Sequence, residues 1–368
     1  MVKKPFFSIV IPTYNRASEL RFALFCILRQ SFSDFEIIIS DNCSIDNTKE
    51  VVGELKNKKI RYFRSKKNVP YAINAKNAME HATGEYIFLH SDDDFLLRKD
   101  SFLEIYKKIK KYNPGYIRAI YICVSSDRKR IFNFRVNKPF TKNEYLPPFS
   151  ENEKVLSYIL NSDHFFITGT IFKNNLPSNI KLISSEHAPW MEILFYVTKN
   201  FGAYFFAEPY IVACWSTWRN KKNGSHPVYN LIKGRLESEN YFSVVRKKID
   251  SQAYSIFLHD QLMGMYVRLF PLIKILVGNK DLLQFSARIR FIDPAMEKSI
   301  IYWAYLIGAL ILPKWFLKII KNTYLNLYIL LLKVDNEKQI ATRLKELERG
   351  YFHDWGKLIK NKSPIFKF

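Results

Sequence analysis

The sequence predicts an α/β protein with a Rossmann-like sheet, followed by a mainly helical C-terminal region. Two observations predict this fold class. Over the first hundred residues, short apolar runs alternate with amphipathic stretches and short polar connections, which is the pattern of repeated βα units. Beyond about Tyr229 the strand-like runs stop, and basic, aromatic-rich helical segments continue to the end. We therefore expect one domain over residues 1–228 and a helical region over residues 229–368.

The first two predicted strands are apolar runs that lead into polar loops. Phe7–Ile11 predicts the first strand, which Pro12 ends. Ser18 is the expected N-cap of the following helix, whose apolar residues fall on one face. Glu36–Ile39 predicts the second strand. A parallel sheet accommodates such strands because helices cover both of its faces.

Two further units repeat this order. Asp46 marks the start of a second helix, Ile60–Phe63 predicts a third strand, and residues 72–82 predict a third helix that Gly84 closes. Residues 85–89 predict a fourth strand, which runs directly into the acidic sequence His90-Ser91-Asp92-Asp93-Asp94.

The remainder of the chain is less regular. Phe165–Phe172 predicts another strand, and a helix follows Ser184-Ser185-Glu186, as in the second half of the same domain. The uncharged stretch Ser299–Pro313 is shorter than the roughly 20 residues that a spanning helix needs, so we expect no transmembrane segment. The basic, aromatic helices of this region fit either a membrane interface or a buried bundle.

The composition is that of a globular protein and excludes a disordered or fibrous chain. Of 368 residues 48% are hydrophobic, and 57 Lys and Arg against 34 Asp and Glu give a net charge of +23. This excess implies an anionic partner, which could be nucleic acid, an anionic membrane or a nucleotide. The four cysteines are far apart, and the N-terminus has no signal-peptide pattern. We therefore expect a cytoplasmic protein.

Polar clusters follow three of the predicted strands, at residues 12–15, 41–46 and 90–94. Ligands of α/β sheets bind at the carboxyl ends of the strands. Three consecutive acids repel one another unless a cation lies among them, and carboxylate oxygens suit Mg²⁺ or Mn²⁺ together with substrate phosphates. The sequence therefore predicts a divalent-cation site at this edge. The alternative is a solvated acidic turn before the next helix.

In order and spacing, these segments resemble the family 2 glycosyltransferases of GT-A fold. The matching segments run from Ser8 to Arg16, from Ile38 to Thr48 and from Gly84 to Asp94. The resemblance is strong over residues 6–100 and weaker over residues 160–200. It implies a nucleotide-sugar donor and a hydroxyl acceptor on a glycan or a lipid-linked glycan. The three consecutive acids after a small residue are similar to those of abequosyltransferase-like enzymes.

The resemblance assigns donor-binding roles to loop residues. Pro12, Thr13, Tyr14 and Asp41 match the positions that hold the nucleotide base. These residue types suit that role, because a tyrosine ring stacks on a base and a carboxylate accepts the imide N–H.

Other residues match the family's phosphate and metal positions. Asp92 matches the ribose ligand, and Asp93 and Asp94 match the ligands of Mn²⁺ or Mg²⁺. Asn68 matches the Asn of a family Asn-x-Gly stretch that contributes to the donor site. Asn74 and Lys76 face the donor in this alignment, where Lys76 could supply positive charge near the phosphates. The alternative for Asn74 and Lys76 is that they are exposed polar residues of an amphipathic helix.

Inverting transfer needs a base that takes the proton of the acceptor hydroxyl. Family members place it in a Glu-Asp pair at the start of a helix. Glu186 matches the first acid of that pair, whereas His187 replaces the second. Glu186 is the first choice, His187 is the alternative because an imidazole titrates near neutral pH, and Asp163 is a reserve candidate.

Other nucleotide-binding classes lack their motifs here. The first loop has neither the G-x-G-x-x-G of a dehydrogenase nor a P-loop, and it lacks the Gly-rich triphosphate loop of a nucleotidylyltransferase. A non-enzymatic basic protein that binds nucleic acid or anionic membrane is the remaining alternative. We predict a metal-dependent inverting glycosyltransferase of cell-surface polysaccharide synthesis, with no nucleic-acid partner, peripheral on the inner face of the cell membrane.

Overall fold

The computed structural model describes residues 4–125, 131–134, 142–161, 166–177, 190–215, 232–234, 236 and 239–320. The described residues up to 215 belong to one compact unit, and those from 232 to 320 belong to a second. The boundary predicted at residue 228 lies between these two ranges and outside the described residues. The division into domains therefore stays a prediction.

The first unit combines a mixed sheet with flanking helices. The described strands are β1 (Phe7–Thr13), β2 (Phe35–Asp41), β3 (Ile60–Arg64), β4 (Tyr86–Leu89), β5 (Phe95–Leu96), β6 (Tyr116–Ser125), β7 (Ile131–Phe134), β8 (Glu144–Leu146), β9 (Thr170–Lys173) and β10 (Ala203–Trp215). The described helices are α1 (Ala17–Leu28), α2 (Thr48–Glu54), α3 (Tyr71–Glu80), α4 (Ser101–Tyr112), α5 (Asn152–Asn161) and α6 (Met191–Phe201).

The sheet is parallel in its first half and mixed in its second. Its order is β3-β2-β1-β4-β9-β6-β10-β5, with β7 beside β6 and β8 beside β10. The four strands β3, β2, β1 and β4 are parallel, whereas β9 is antiparallel to both β4 and β6. The register sets Thr13 opposite Asp41 and Asp41 opposite Arg64, so polar side chains meet at the carboxyl edge. The expectation of a parallel sheet holds only for this first half.

Every residue of β1 and β2 is buried, as expected for parallel strands covered on both faces. The first strand is longer than predicted, because it continues through Pro12 to Thr13. Val10 faces β4, since its carbonyl accepts from the His90 amide, and strand alternation points Pro12 to the same side. Pairing with β4 ends at Val10, so the missing N–H of Pro12 breaks no ladder hydrogen bond.

The predicted helix signals Ser18 and Gly84 are wrong. Helix α1 starts at Ala17, whose amide donates to Asp46 Oδ2 (3.0 Å) from the second loop. Helix α3 ends at Glu80, before Gly84. Glycine is needed there for a different reason, since a Cβ on Gly84 would lie 2.7 Å from the backbone nitrogen of Ser8.

The strand predicted from Phe165 begins at Thr170 in the structure. Residues 166–169 form a turn, in which Gly169 has a φ of +82° that side-chain-bearing residues rarely adopt. The four residues before Gly169 are apolar or β-branched, which is typical of a strand. In the structure the Thr168 side chain bonds to the acidic loop, as described below, and this contact fixes a turn instead.

The second unit is helical in its described part, which confirms the predicted helical C-terminal region. Its helices are α7 (Glu239–Arg246), α8 (Ser251–Met265), α9 (Phe270–Val277), α10 (Asn279–Ile292) and α11 (Ile300–Ile311), and residues 314–320 are also helical. Its buried side chains include Leu262, Phe270, Phe285, Ile289 and Tyr302. Among the described residues, no helix combines the length and hydropathy needed to cross a bilayer.

Candidate active site

The three polar loops meet at the carboxyl edge of β1, β2 and β4. The first loop is bonded to the second, because the Asn15 amide donates to Ser44 Oγ (2.9 Å) and Asn15 Oδ1 accepts from the Ile45 amide (2.8 Å). The first loop is bonded to the acidic loop by Thr13, whose hydroxyl donates to Asp92 Oδ2 (2.7 Å). The sequence prediction that these loops form one site is consistent with this geometry.

Asp41 is fully buried and both of its carboxylate oxygens have protein partners. Oδ1 accepts from the Ser44 amide (2.8 Å), and Oδ2 accepts from the Tyr62 hydroxyl and lies 3.4 Å from Arg64 Nε. Burial and then the hydrogen bond to Asp41 raise the pKa of Tyr62, which keeps its hydroxyl protonated as a donor. The three residues form a polar cluster at the ends of β2 and β3.

Asn42 and Asn68 extend this cluster. The Asn42 side chain donates to the Val69 carbonyl (2.7 Å) and accepts from the Val69 amide (2.8 Å). The side-chain nitrogen Nδ2 of Asn42 also lies 3.5 Å from Asn68 Oδ1, and Asn68 itself is exposed. The structure therefore places Asn68 beside Asn42, the residue that follows Asp41.

Two other segments of the chain hold the acidic loop: the first loop contacts Asp92 and Asp93, and the turn before β9 contacts Asp94. Asp92 accepts from Thr13, and its other oxygen lies 3.4 Å from Arg16 NH1. Arg16 also donates to Asp93, which accepts from Ser91 Oγ (2.5 Å) as well. Asp94 accepts from the Thr168 hydroxyl, whose oxygen also accepts from the Ser91 amide (2.8 Å). The loop is thus fixed from both halves of the sheet.

Burial and charge shift the pKa values of this loop. Burial raises the pKa of Asp92 to about 7, against the opposing effect of Arg16. Burial alone would lower the pKa of Arg16, but the charges of Asp92 and Asp93 raise it. Burial lowers the pKa of His90 to about 4, so this histidine is neutral, and its Nδ1 is 2.6 Å from the Ser91 carbonyl. Of these three groups, only Arg16 keeps a fixed charge at neutral pH.

Five residues of the site were missed by the sequence prediction: Arg16, Tyr62, Arg64, Tyr71 and Thr168. Tyr71 is the first residue of α3, and part of its ring is exposed. Burial of its hydroxyl end, followed by the charges of Asp92 to Asp94, raises its pKa. Arg16 directly follows the motif residues Tyr14 and Asn15, so its position was visible in the sequence. Nothing in the sequence indicates that Thr168 reaches a loop 74 residues away.

The remaining predicted donor residues differ in their surroundings. Tyr14 is exposed, as a ring that stacks on a base must be. Asn74 is buried, where it accepts from Ser40 Oγ (2.8 Å) and donates to the Ser40 carbonyl (2.9 Å), so it ties α3 to β2. Lys76 lies 3.6 Å from Glu80 on the same helix. Pro12 is buried within β1.

The predicted bases lie outside the described residues. Glu186 and His187 fall within residues 178–189, and Asp163 falls within residues 162–165. Trp190, the next described residue, is fully buried and belongs to the core. The choice of base therefore stays a prediction.

Comparisons with known proteins agree with this geometry. The family model "Glycosyl transferase family 2" matches residues 8–173, which contain all three loops. A Campylobacter jejuni protein named GalNAc(5)-diNAcBac-PP-undecaprenol beta-1,3-glucosyltransferase is 30% identical over 213 residues, 54% of this chain and 64% of that enzyme. The Escherichia coli protein WfgD, named UDP-Glc:alpha-D-GlcNAc-diphosphoundecaprenol beta-1,3-glucosyltransferase, is 29% identical over 93 residues, 25% of this chain and 37% of WfgD. The chain thus spans less than two thirds of the length of either relative.

A solved structure shows the same fold. S. aureus TarS 1–349 in complex with UDP-GlcNAc matches with a TM-score of 0.57 over 83% of this chain and 89% of the TarS 1–349 chain, at 16% identity. This likeness confirms the predicted GT-A fold. The matched loops lie at one edge of that fold, and residues 8–173 are similar to glycosyltransferase family 2.

Proposed function

We propose that the protein is a metal-dependent inverting glycosyltransferase that moves a sugar from a uridine diphosphate sugar (UDP-sugar) to a hydroxyl of a lipid-linked glycan. The observation that carries this proposal is the acidic loop, which Thr13, Arg16 and Thr168 hold at the carboxyl edge within the family 2 region. The donor class is supported by WfgD, whose name includes UDP-Glc, and by TarS, which was solved with UDP-GlcNAc. The acceptor class is supported by the two relatives named for undecaprenol-linked substrates.

The donor site is proposed to lie between the first two loops. Tyr14 is the exposed ring for base stacking, and Asp41 with its partners Tyr62 and Arg64 lines the position of the base. Pro12 and Thr13 are proposed to contribute to the same base site, and Asp92 is proposed to bind the ribose. Asn68 is proposed to approach the donor from beside Asn42. Asn74 supports the loop from the buried side through Ser40, and Lys76 is proposed to attract the diphosphate from the surface of α3.

Mg²⁺ or Mn²⁺ is proposed to bind at Asp93 and Asp94. Among the described residues, no group of three or more acids, histidines or cysteines could hold an ion by itself. This agrees with the chemistry of such ions in nucleotide sites, which take one or two carboxylates and complete their shell with phosphate oxygens and water. The residues therefore fit a metal that arrives with the diphosphate, where it would stabilise the leaving group.

The acceptor base is proposed to be Glu186, with His187 as the alternative and Asp163 in reserve. Replacing Glu186 by Gln removes the base and leaves the shape of the side chain, so we expect turnover to fall by about 10²- to 10⁴-fold while donor binding is unchanged. His187→Asn is the parallel variant. The variant that loses turnover without losing donor binding identifies the base, and unchanged turnover in both would exclude the pair.

Thermal stability tests the proposal as a whole. UDP, GDP, CDP and dTDP are each added with and without Mn²⁺ to the wild-type chain, to Asp93→Ala and to the control Asp260→Ala, an exposed acid of α8. Nucleotide at a hundredfold excess over its Kd stabilises the folded protein by about 2.7 kcal/mol. We expect stabilisation by UDP that needs Mn²⁺ and disappears only in Asp93→Ala. Stabilisation by none of the four would favour the non-enzymatic alternative.

The place of action is proposed to be the inner face of the cell membrane, where a lipid-linked acceptor would be reached from the cytoplasm. The net charge of +23 supports contact with anionic lipid. Cell fractionation that finds the full chain only in the supernatant at physiological salt would contradict this part of the proposal.

A further inference from the structure

Helix α11 has an apolar outer face. Its residues Ile300, Ala304, Ile307 and Ile311 are exposed and follow one another at helical spacing, so they form one stripe along the helix. The relative exposure of Ile300 is 86% and that of Ile311 is 73%. A surface helix of a globular protein ordinarily carries polar residues on this side. We call these four residues the apolar stripe.

The helical residues 314–320 continue the same composition. Trp315, Phe316, Ile319 and Ile320 are exposed, with Trp315 at 64%. Lys314 and Lys318 are also exposed and lie one turn apart. Aromatic and branched apolar side chains next to lysines are typical of helices that lie in a membrane interface, where the rings enter the headgroup region and the ammonium groups stay in water.

We propose that the apolar stripe and residues 314–320 form a docking surface for an anionic phospholipid bilayer. Charge complementarity selects this partner. Residues 299–320 contain no acid, Lys298 precedes the stripe, and Lys314 and Lys318 follow it. A second copy of the chain would bring these lysines against one another, whereas phosphate headgroups would pair with them. The proposal goes beyond the transferase activity and does not depend on the donor.

Vesicle co-sedimentation of the full chain tests this surface. The vesicles are phosphatidylcholine alone or phosphatidylcholine with phosphatidylglycerol. We expect binding to the anionic vesicles, weakened about tenfold or more in the combined variant Ile300→Ser, Ile307→Ser and Ile311→Ser. The matched control replaces Ile256 and Leu283, which are exposed residues of α8 and α10, by Ser and should bind like wild type. Lys314→Glu with Lys318→Glu should weaken binding to the anionic vesicles alone.

Three results would overturn the membrane proposal. They are equal binding of wild type and the triple serine variant, no binding of wild type to either vesicle, and a stable dimer in solution that the triple variant dissociates. UDP-dependent thermal stabilisation is measured on the same variants and should be unchanged. A failure of the docking surface is therefore distinguishable from a failure of the donor site.

A second observation concerns Arg118 of β6, which is fully buried. Its NH1 donates to the Phe166 carbonyl (3.0 Å), the Thr168 carbonyl (3.2 Å) and Thr170 Oγ1 (2.8 Å). Its Nε and NH2 have no hydrogen-bond partner among the described residues. A buried guanidinium is unfavourable unless hydrogen bonds compensate for its lost hydration. Here those hydrogen bonds go to the turn from which Thr168 reaches Asp94.

We infer that Arg118 is a positioning residue for the acidic loop, acting through Thr168. Arg118 fixes the backbone of the turn, and the Thr168 hydroxyl then fixes both Asp94 and the Ser91 amide. Loss of this connection should let Asp94 leave the orientation that a metal requires. This inference rests on the proposed metal site at Asp93 and Asp94.

The Mn²⁺ concentration that gives half-maximal UDP-dependent stabilisation tests this inference. We expect Thr168→Val to raise it about tenfold, since the hydrogen bond from the Thr168 hydroxyl to Asp94 is lost, and Thr168→Ser to restore it. Arg118→Met should raise it similarly, and Arg118→Lys less. A lower melting temperature with an unchanged Mn²⁺ requirement would show a structural role alone. Absence of any Mn²⁺ effect in wild type would instead refute the metal proposal itself.

Discussion

The Thr13→Val variant tests the hydrogen bond from Thr13 to Asp92 while keeping the shape of the side chain. Valine has the same branched shape, and Thr13 is buried, so packing and strand propensity are retained. The substitution removes only the hydroxyl that donates to Asp92 Oδ2 at 2.7 Å. A hydrogen bond to a charged group contributes ~1.5–3 kcal/mol, and one to a neutral group contributes about 1 kcal/mol. Asp92 is buried, is partly neutral at pH 7 because its pKa is raised to about 7, and keeps its second oxygen near Arg16. We expect a net destabilisation of about 1–2 kcal/mol.

Thr198→Val is the matched control. Thr198 of α6 is also fully buried, but its hydroxyl has no hydrogen-bond partner among the described residues. Removing a buried hydroxyl without a partner should be neutral or stabilising. Of the two isosteric substitutions, only Thr13→Val is therefore expected to lower stability.

Chemical denaturation and thermal melting measure both effects. For a folding unit of about 200 residues, 1 kcal/mol corresponds to roughly 2–4 °C in melting temperature. Thr13→Val should melt about 2–8 °C lower, and Thr198→Val should melt at or above the wild-type temperature. Equal losses in the two variants, or no loss in Thr13→Val, would refute the assignment of the Thr13 hydroxyl as a donor to a buried carboxylate.

Two further predictions concern the support of the sheet beneath the site. Burial raises the pKa of Glu36, but hydrogen bonds from Ser8, Arg61 and Thr83 outweigh burial and lower it. The ionised Glu36 therefore stabilises the folded protein fully above the ordinary glutamate pKa, and this contribution is lost as pH falls through the lowered pKa. Glu36→Gln should cost about 2 kcal/mol at pH 7, and the difference should vanish in acid, as measured by urea denaturation across pH. Gly84→Ala places a Cβ against the backbone of Ser8 and should lower the free energy of unfolding by about 1–3 kcal/mol. The control is Gly53→Ala in α2, which should be neutral or stabilising because nothing lies within 4 Å of the added Cβ. Melting temperatures of the two variants are compared.

The parts of the fold that local patterns control were predictable. Strands β1, β2 and β4 are short apolar runs bounded by polar loops, and the carboxyl-edge rule then placed Thr13, Asp41 and Asp92 at one edge. The parts that failed depend on contacts between distant segments. The cap of α1 comes from Asp46, which is 29 residues beyond Ala17, so the nearer Ser18 was the misleading signal.

The same distinction applies to the site. Tyr14 and Asn68 could be chosen from residue type and motif position. Thr168 could not, because its hydroxyl reaches the acidic loop only after β9 has paired antiparallel with β4, a pairing that no sequence period reports. Gly169, with its positive φ, marks the turn that makes this possible, although in the sequence it was part of a predicted strand.

The partners of the three acids also suggest how they divide their work. The hydroxyls that hold Asp92 and Asp94 belong to Thr13 and Thr168, which are buried and cannot turn away without disturbing the sheet. Asp93 is held by Arg16, whose side chain is 31% exposed and has water on one side. An arriving cation can displace a partly exposed guanidinium more readily than a buried hydroxyl, because the displaced charge is then solvated. At the proposed cation site we therefore expect Asp93 to be engaged first. Arg16→Ala should lower the Mn²⁺ concentration needed for UDP-dependent stabilisation, and an increase would contradict this reasoning by showing that Arg16 orients Asp93 for the metal.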